Sequence, residues 1–224
     1  MHRVAFLLVL ITCAVVPSQA QLDRRTAIRL SGGWAFPTSP TDLSDNWRSG
    51  PGIVADFEYP VAGGEVSLLG SYHHASFPFD RAGFIAHYDQ SAGPSVISSV
   101  IGPDASIWGI TGGLKINDIA RSLYLRTDLG YFSLSRGNVT VTGPDQVNVV
   151  QFISKTGTLL DFGAGVDMRL SPRFTLFLEG TYYWAQSNQD EPSGTTIFYS
   201  AGGTGVERKN TWIGTARLGV SVSI

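Results

Sequence analysis

Residues 158–185 read TLLDFGAGVDMRL, SPR and FTLFLEGTYYWA, and this stretch decides the fold. In residues 160–170 every even position is apolar, and every odd position is small or charged. Residues 174–184 follow the same rule, with Phe177 as the misfit on the polar face. Side chains alternate across a strand with a period of two, so each run has one apolar and one polar face. Because residues 171–173 (SPR) are typical of a tight turn, the sequence predicts a hairpin.

The length of these two strands indicates where the hairpin lies. Strands of soluble proteins most often have about 5–6 residues. A tilted strand that crosses a membrane needs about 9–11 residues. Both runs reach that length, so we expect the apolar faces to contact lipid.

The same alternation recurs along the chain. Six further runs follow it, at residues 27–36, 53–59, 65–72, 108–116, 123–131 and 211–224. The connections between the eight runs are alternately long and short. The long ones are predicted at residues 37–50, 75–104, 135–156 and 187–209, and the short ones at 60–64, 117–120 and 171–173. Long outer loops and tight inner turns are typical of outer-membrane barrels. The predicted fold class is therefore all-β, an eight-stranded antiparallel up-and-down transmembrane β-barrel.

Large aromatic residues mark the ends of the apolar faces next to the long loops. Amphipathic rings prefer the interface between membrane and water, so we expect an outer girdle there. Its predicted members are Trp34, Tyr72, Trp108, Tyr131, Trp184 and Trp212. In the alternative, a soluble barrel, the apolar faces point inward. We disfavour it because the opposite faces carry few Lys and Glu for a solvated exterior.

The polar faces carry the candidate interior site. The predicted charge network consists of Arg29, Asp56, Arg126, Asp128, Asp161, Asp167, Glu179 and Arg217, and Lys115, Glu58, Glu65 and Arg169 share its face. An eight-stranded barrel has an interior only wide enough for its own side chains, so these charges are expected to pair. The pattern leaves two interpretations open, a structural salt-bridge plug and a narrow gated path. Inward glycines, such as Gly163 and Gly165, are expected to make room for long side chains.

The N-terminus and the composition limit the other possibilities. Residues 1–20 have a short apolar core and small residues before Gln21, which predicts a signal peptide and a barrel domain over 21–224. A lipoprotein cleavage site at Cys13 is the less favoured alternative. Cys13 is the only cysteine, so no disulfide is expected, and the formal net charge of −2 does not favour nucleic acid. No metal, cofactor or catalytic site is predicted, since the spacing of His73, His74 and His87 matches no standard metal site.

At this point the chain resembles the small bacterial outer-membrane β-barrel family of the OmpA/OmpX-like type. The resemblance rests on the eightfold pattern, on the hairpin GAGVDMRLSPRFTLFLEGTYYW and on the alternating last strand. It implies a cell outer membrane location after export through a cleaved signal peptide. Implied partners are the lipid bilayer, lipopolysaccharide, periplasmic chaperones and the barrel-assembly machinery. The family usually ends in an aromatic residue, whereas this chain ends in Ile224.

Three functions remain open from the sequence. The leading hypothesis is a non-enzymatic barrel with an envelope structural or surface-interaction role. The alternative is a small porin-like channel for ions or small solutes. The second alternative is an outer-leaflet lipid-modifying enzyme, because His74 and Ser76 resemble the His-x-Ser pair of lipid-hydrolysing barrels. The family pattern continues with Asn, whereas Phe77 follows here, and Asp104 is the nearest candidate for a third group.

Overall fold

The computed structural model describes residues 25–39, 41–61, 64–88, 96–120, 122–152, 154–187 and 210–224. The predicted signal peptide at residues 1–20 and nearly all of the predicted polar loop at 187–209 lie outside the described residues. Among the described residues, no helix has both the length and the apolar content that crossing a membrane requires.

The described chain contains eleven strands and two short helices. The strands are β1 (Ala27–Ser39), β2 (Gly50–Val61), β3 (Val66–Phe77), β4 (Ser99–Ile101), β5 (Ala105–Ala120), β6 (Leu123–Ser135), β7 (Val139–Thr142), β8 (Val147–Val150), β9 (Lys155–Arg169), β10 (Phe174–Ser187) and β11 (Thr211–Ser223). The helices are α1 (Thr41–Asn46) and α2 (Arg81–His87).

Eight of these strands close into one antiparallel barrel. The order around the barrel is β1, β2, β3, β5, β6, β9, β10 and β11, and β11 pairs back onto β1. The hairpin of β9 and β10 has the predicted register across the turn, with Leu176 opposite Met168 and Tyr183 opposite Asp161. The fold class predicted from the alternation is confirmed.

The exterior of the barrel is apolar over most of its height. The exposed large side chains on the barrel strands include Ile28, Leu30, Ile53, Phe57, Leu68, Ile110, Leu114, Leu125, Leu129, Phe162 and Leu218. All of them lie on the faces that the alternation assigned to lipid, and the charged residues lie on the opposite, buried faces. A soluble barrel buries its apolar faces, so this exterior is that of a membrane barrel.

One predicted turn is wrong. Residues 117–120 were expected to reverse the chain, but β5 continues to Ala120 with a register shift after Ile116. Asp118 has a φ of 53°, in the left-handed region that Asp tolerates better than most residues. The Asn117 side chain donates to the Gly64 carbonyl oxygen at 3.0 Å and so ties the bulge to the neighbouring turn. The strand therefore runs on through an irregularity that interrupts the alternation.

Three of the predicted long connections, at residues 37–50, 75–104 and 135–156, contain helices or strands. Strands β4, β7 and β8 form a separate three-stranded sheet in the order β4-β7-β8. Helix α2 packs on one face of this sheet, and the shared core consists of Phe84, Tyr88, Val100, Val139, Val141 and Val150. Asp80 caps α2, because its carboxylate accepts from the backbone N–H groups of Ala82 and Gly83 at 3.1 Å. We call α1, α2 and this sheet the surface unit.

Candidate functional site

The lower half of the barrel interior holds a balanced set of charges. Arg29 on β1 donates to Glu58 at 3.2 Å, to Asp167 at 3.3 Å and to the Tyr124 hydroxyl at 2.8 Å. Lys115 on β5 lies 3.1 Å from Glu58 and 2.9 Å from Asp167. Two cations thus share two carboxylates. Lys115 and Glu58, which the sequence placed on the polar face, belong to the network.

The middle of the barrel is organised by Arg126 on β6. Its guanidinium lies 2.6 Å from the Asp128 carboxylate, 3.3 Å from Asp56 and 3.4 Å from Glu179. Glu179 also accepts from Arg217 on β11 and from the Tyr124 hydroxyl, the latter at 2.6 Å. The predicted inward charges from six different strands therefore meet in one continuous network.

One predicted charge departs from this pairing. Asp161 is 0% exposed, and neither of its carboxylate oxygens has a hydrogen-bond partner among the described residues. The Asp128 Oδ1 atom also has none, although Asp128 Oδ2 accepts from Arg126. The expectation that every inward charge pairs is therefore wrong at Asp161.

Aromatic side chains complete the network. Phe177, the misfit in the alternation, points inward and is 1% exposed. The Arg29 guanidinium carbon lies 3.9 Å from the centre of the Phe177 ring and 5.0 Å from that of Tyr124. A cation over a ring face is attracted by the ring quadrupole, so Phe177 supports a buried charge. The alternation alone could not assign this role, but an aromatic residue on a charged face is a signal of it.

Inward glycines lie directly opposite the large side chains. Gly165 faces Tyr124 and Gly163 faces Arg126 across β6 and β9. A Cβ atom on Gly163 would meet the Arg126 side chain at 2.9 Å and the Thr181 methyl at 2.6 Å. The expectation that glycine makes room for large inward groups agrees with this geometry.

The upper half of the interior changes from polar to apolar. His73 contacts the Tyr183 hydroxyl and the Thr111 hydroxyl, each at 3.0 Å. Above this layer the core is apolar and includes Leu43, Trp47, Ala75, Phe77, Ala105, Phe132, Leu134, Leu159, Ala185 and Ile213. The Trp47 indole donates to the Pro103 carbonyl oxygen at 3.0 Å, and its ring contacts the Phe152 ring in an edge-to-face arrangement.

A cavity of about 40 Å³ near His73 and Tyr183 lies between the polar and the apolar layer. This cavity holds only a few waters and is not a pore.

The predicted aromatic girdle lies on the outer wall, toward the strand ends that meet the surface unit. Trp34, Tyr72, Trp108 and Tyr131 are exposed, and Trp184 and Trp212 are half-buried. Trp108 lies 5.8 Å from Tyr131, and Trp184 lies 6.0 Å from Trp212, both measured between ring centroids. The six rings occur on six of the eight barrel strands, and their role as an interfacial girdle stays a prediction.

The residues of the enzyme alternative do not form a catalytic arrangement. His74 and Ser76 both face outward on β3, opposite Trp108 and Ser106 of β5. No hydrogen bond joins them among the described residues. Asp104, the candidate for the third group, accepts a hydrogen bond from the Phe79 backbone N–H at 3.0 Å. This bond directs its carboxylate to Phe79 instead of His74. Among the described residues, no group of three His, Cys, Asp or Glu side chains is arranged to hold a metal.

Sequence reasoning missed a surface feature on the three-stranded sheet. The face turned away from α2 exposes Ile101 (70%), Val147 (64%) and Val149 (46%). The register places Ile101 opposite Thr140, and Thr140 opposite Val149, so one row crosses all three strands. The apolar residues at 147–150 (VNVV) were the only signal for it.

The closed barrel, its apolar outer wall and its charged interior define a class: this chain is an eight-stranded β-barrel of the outer-membrane type.

No family model matches the sequence, and no curated protein matches it. The known similarity is structural. Neisserial surface protein A is 14% identical, with a TM-score of 0.52 over 89% of this chain and 97% of the other. Ail, the attachment invasion locus protein of Yersinia pestis, is 15% identical, with a TM-score of 0.47 over 90% of this chain and 100% of the other. OprG of Pseudomonas aeruginosa is 11% identical, with a TM-score of 0.40 over 92% and 99%. At these identities the likeness to the neisserial protein shows the fold.

Proposed function

We propose that this chain is a non-enzymatic outer-membrane barrel whose role is a surface interaction, carried by the surface unit. The observation that carries the proposal is the exposed apolar face of the three-stranded sheet. Several large apolar side chains exposed on one face of a small sheet can mark a binding surface. Ile101 and Val149 lie in one row of this face, and Val147 lies in the next.

The anchoring of this face supports the proposal. The opposite side of the sheet is buried against Phe84 and Tyr88, and Asn148 donates to the Tyr88 hydroxyl at 3.2 Å. The surface unit joins the barrel through Phe79 and Phe152, which contact both apolar clusters. Because the three-stranded sheet is packed against the rest of the surface unit and the barrel, its exposed face is ordered before a partner binds. This lowers the entropic cost of association.

The porin-like channel is the alternative, and the interior argues against it. Ions would have to cross the Arg126 layer and then the apolar layer around Trp47 and Phe132. The first layer is held by buried ion pairs, and the second is packed with buried apolar side chains. The lipid-modifying enzyme has less support, because His74 and Ser76 do not contact each other.

The route to the membrane belongs to the same proposal. Residues 1–20 serve as the cleaved signal peptide and 21–224 as the barrel domain, located in the outer membrane. The apolar wall contacts the bilayer, and the girdle around Trp108 and Trp212 lies at the level of the lipopolysaccharide head groups. Periplasmic chaperones and the barrel-assembly machinery deliver the chain, with Ile224 in place of the usual terminal aromatic residue.

The test compares cells that display the full chain with cells that display the double variant Ile101→Ser/Val149→Ser. Because the face is apolar, wild-type cells are expected to adhere to a surface coated with alkyl chains, and the double variant is expected to lose that adherence. Thr140→Ser in the same row is the matched control and should adhere like the wild type. Equal adherence of the wild type and the double variant, at equal amounts of folded protein, would contradict the proposal.

A further inference from the structure

Two carboxylates face each other in the middle of the barrel. Asp128 on β6 lies directly opposite Asp161 on β9, and both side chains point inward. Three of their four oxygen atoms have no hydrogen-bond partner among the described residues. Both side chains are almost completely buried. A buried charge without a partner is costly, so this arrangement requires a compensating positive charge.

The other buried groups do not supply that charge. Among the described residues, the network contains four cations, Arg29, Lys115, Arg126 and Arg217. It also contains six carboxylates, Asp56, Glu58, Asp128, Asp161, Asp167 and Glu179. The carboxylates thus exceed the cations by two.

The cations nearest to Asp161 are bound to other carboxylates. Arg126 contacts Asp56, Asp128 and Glu179, and Arg217 contacts Glu179. The ionisable groups closest to Asp161 are Arg126 and Asp128 on β6, Glu179 and Tyr183 on β10 and Arg217 on β11. Lys155 lies on the same strand as Asp161, but it is six residues away, which is roughly 20 Å at the usual rise per residue.

We infer that Asp128 and Asp161 form a site in the barrel interior for one alkali-metal cation. This site is distinct from the proposed surface interaction. The two facing carboxylates offer oxygen atoms on neighbouring strands, and oxygen is the ligand that hard cations prefer. A site built from three or more acidic, His or Cys ligands, as divalent ions commonly use, does not occur among the described residues, so the proposed occupant is held by these two carboxylates alone.

The site has a structural consequence for the barrel. An occupant between β6 and β9 neutralises one of the two excess charges at the level where six strands meet. A ligand that binds the folded state and not the unfolded chain stabilises the fold by mass action. The stability of the barrel is therefore expected to depend on the concentration of its cation. This effect does not require the ion to pass through the lumen.

The experiment measures urea unfolding of the refolded full chain in lipid vesicles, at constant ionic strength. Sodium or potassium chloride is exchanged for N-methylglucamine chloride, whose cation is too large for the site. Raising the alkali ion to about ten times its dissociation constant should raise the folding equilibrium constant about tenfold.

Variants separate this site from the rest of the network. Asp161→Asn keeps the shape and removes the excess charge, so it should abolish the cation dependence and raise the urea midpoint. Asp56→Asn is the matched control: it removes a partner of Arg126, so it should lower the midpoint and keep the cation dependence. Asp128→Asn provides a second variant, which should also abolish the dependence. Wild-type unfolding that does not respond to cation identity would overturn the inference, as would a dependence that Asp161→Asn leaves intact.

Discussion

Glu179 is the residue on which the interior network converges. One carboxylate oxygen accepts from Arg217 and Arg126, and the other accepts from the Tyr124 hydroxyl. It therefore joins strands β6, β10 and β11 through a group that is almost completely buried. Removing it takes away the carboxylate that Arg217 contacts, and leaves Arg126 with Asp56 and Asp128 as partners.

We expect Glu179→Ala to destabilise the barrel by about 3–5 kcal/mol, because breaking a buried ion pair leaves an uncompensated charge. The measurement is urea unfolding in lipid vesicles, followed by tryptophan fluorescence. Glu65→Gln is the control, since Glu65 is exposed in the turn between β2 and β3. A variant at position 179 that unfolds at the wild-type midpoint would show that the network is not a major source of stability.

Asp80 gives the surface unit a pH dependence. The hydrogen bond from Arg48, at 2.8 Å, together with the capping bonds of α2, lowers the pKa of Asp80 to about 2. A lowered pKa means that the stabilisation is complete above the pKa of about 4 in the unfolded chain, and is lost as the pH falls through about 2. The N-terminus of α2 is therefore expected to loosen only in strong acid.

The test of this prediction is the pKa of Asp80, measured by carboxyl ¹³C chemical shift in wild type and in Arg48→Gln. We expect the pKa to rise toward its ordinary value in the variant, because the hydrogen bond from Arg48 is the largest cause of the shift. Arg81→Gln controls for general loss of positive charge nearby. An unchanged pKa in Arg48→Gln would refute the assignment.

The sequence predicted which side chains point inward, but not which of them touch. Strand alternation is a local property, so it identified Arg126 and Glu179 as interior residues. Their contacts depend on the register between strands that are far apart in sequence, as between β6 and β10. For the same reason, the sequence correctly predicted that Asp161 points inward but could not predict that its carboxylate has no hydrogen-bond partner among the described residues.

At the scale of elements, the β9–β10 hairpin shows how glycine sets the packing of the interior. A Cβ atom on Gly165 would collide with the Tyr124 ring and would lie 2.7 Å from the Leu178 carbonyl oxygen. Neither the ring, wedged against Arg29, nor the backbone can move easily. Gly70 has the opposite surroundings, because no atom lies within 4 Å of its Cβ position on the lipid face.

We expect Gly165→Ala to destabilise the barrel by about 1–3 kcal/mol, the usual cost of overpacking. Gly70→Ala is the matched control and should leave stability unchanged or slightly raised, since alanine restricts the unfolded chain. The midpoint of the heat-dependent mobility shift on a gel measures both. Equal midpoints for the two variants would contradict the proposed role of Gly165.

The elements that the sequence did not predict are the short ones. Strands β4, β7 and β8 have three or four residues, too few for a period of two to stand out. Helices α1 and α2 have six and seven residues, less than two full turns, and a helical period is equally hard to detect there. The long barrel strands were predictable because lipid on one side and charge on the other impose a strict alternation.

At the scale of the molecule, the barrel is closed by two layers of different chemistry. The charged layer joins the strands at mid-height, and the apolar layer under the surface unit seals the upper end. Among the described residues, buried ion pairs occupy the first layer, and buried side chains such as Phe77 and Phe132 occupy the second. The central claim is therefore that the barrel is a closed anchor, and that function lies on the surface unit.

Single-channel conductance of the refolded full chain in a planar bilayer tests this claim most directly. Folding is confirmed beforehand by the heat-dependent shift on a gel. The closed interior predicts a silent bilayer under applied voltage. Discrete conductance steps that change in Arg126→Gln or Glu179→Gln would contradict the claim, because they would show that the charged layer lines a path for ions.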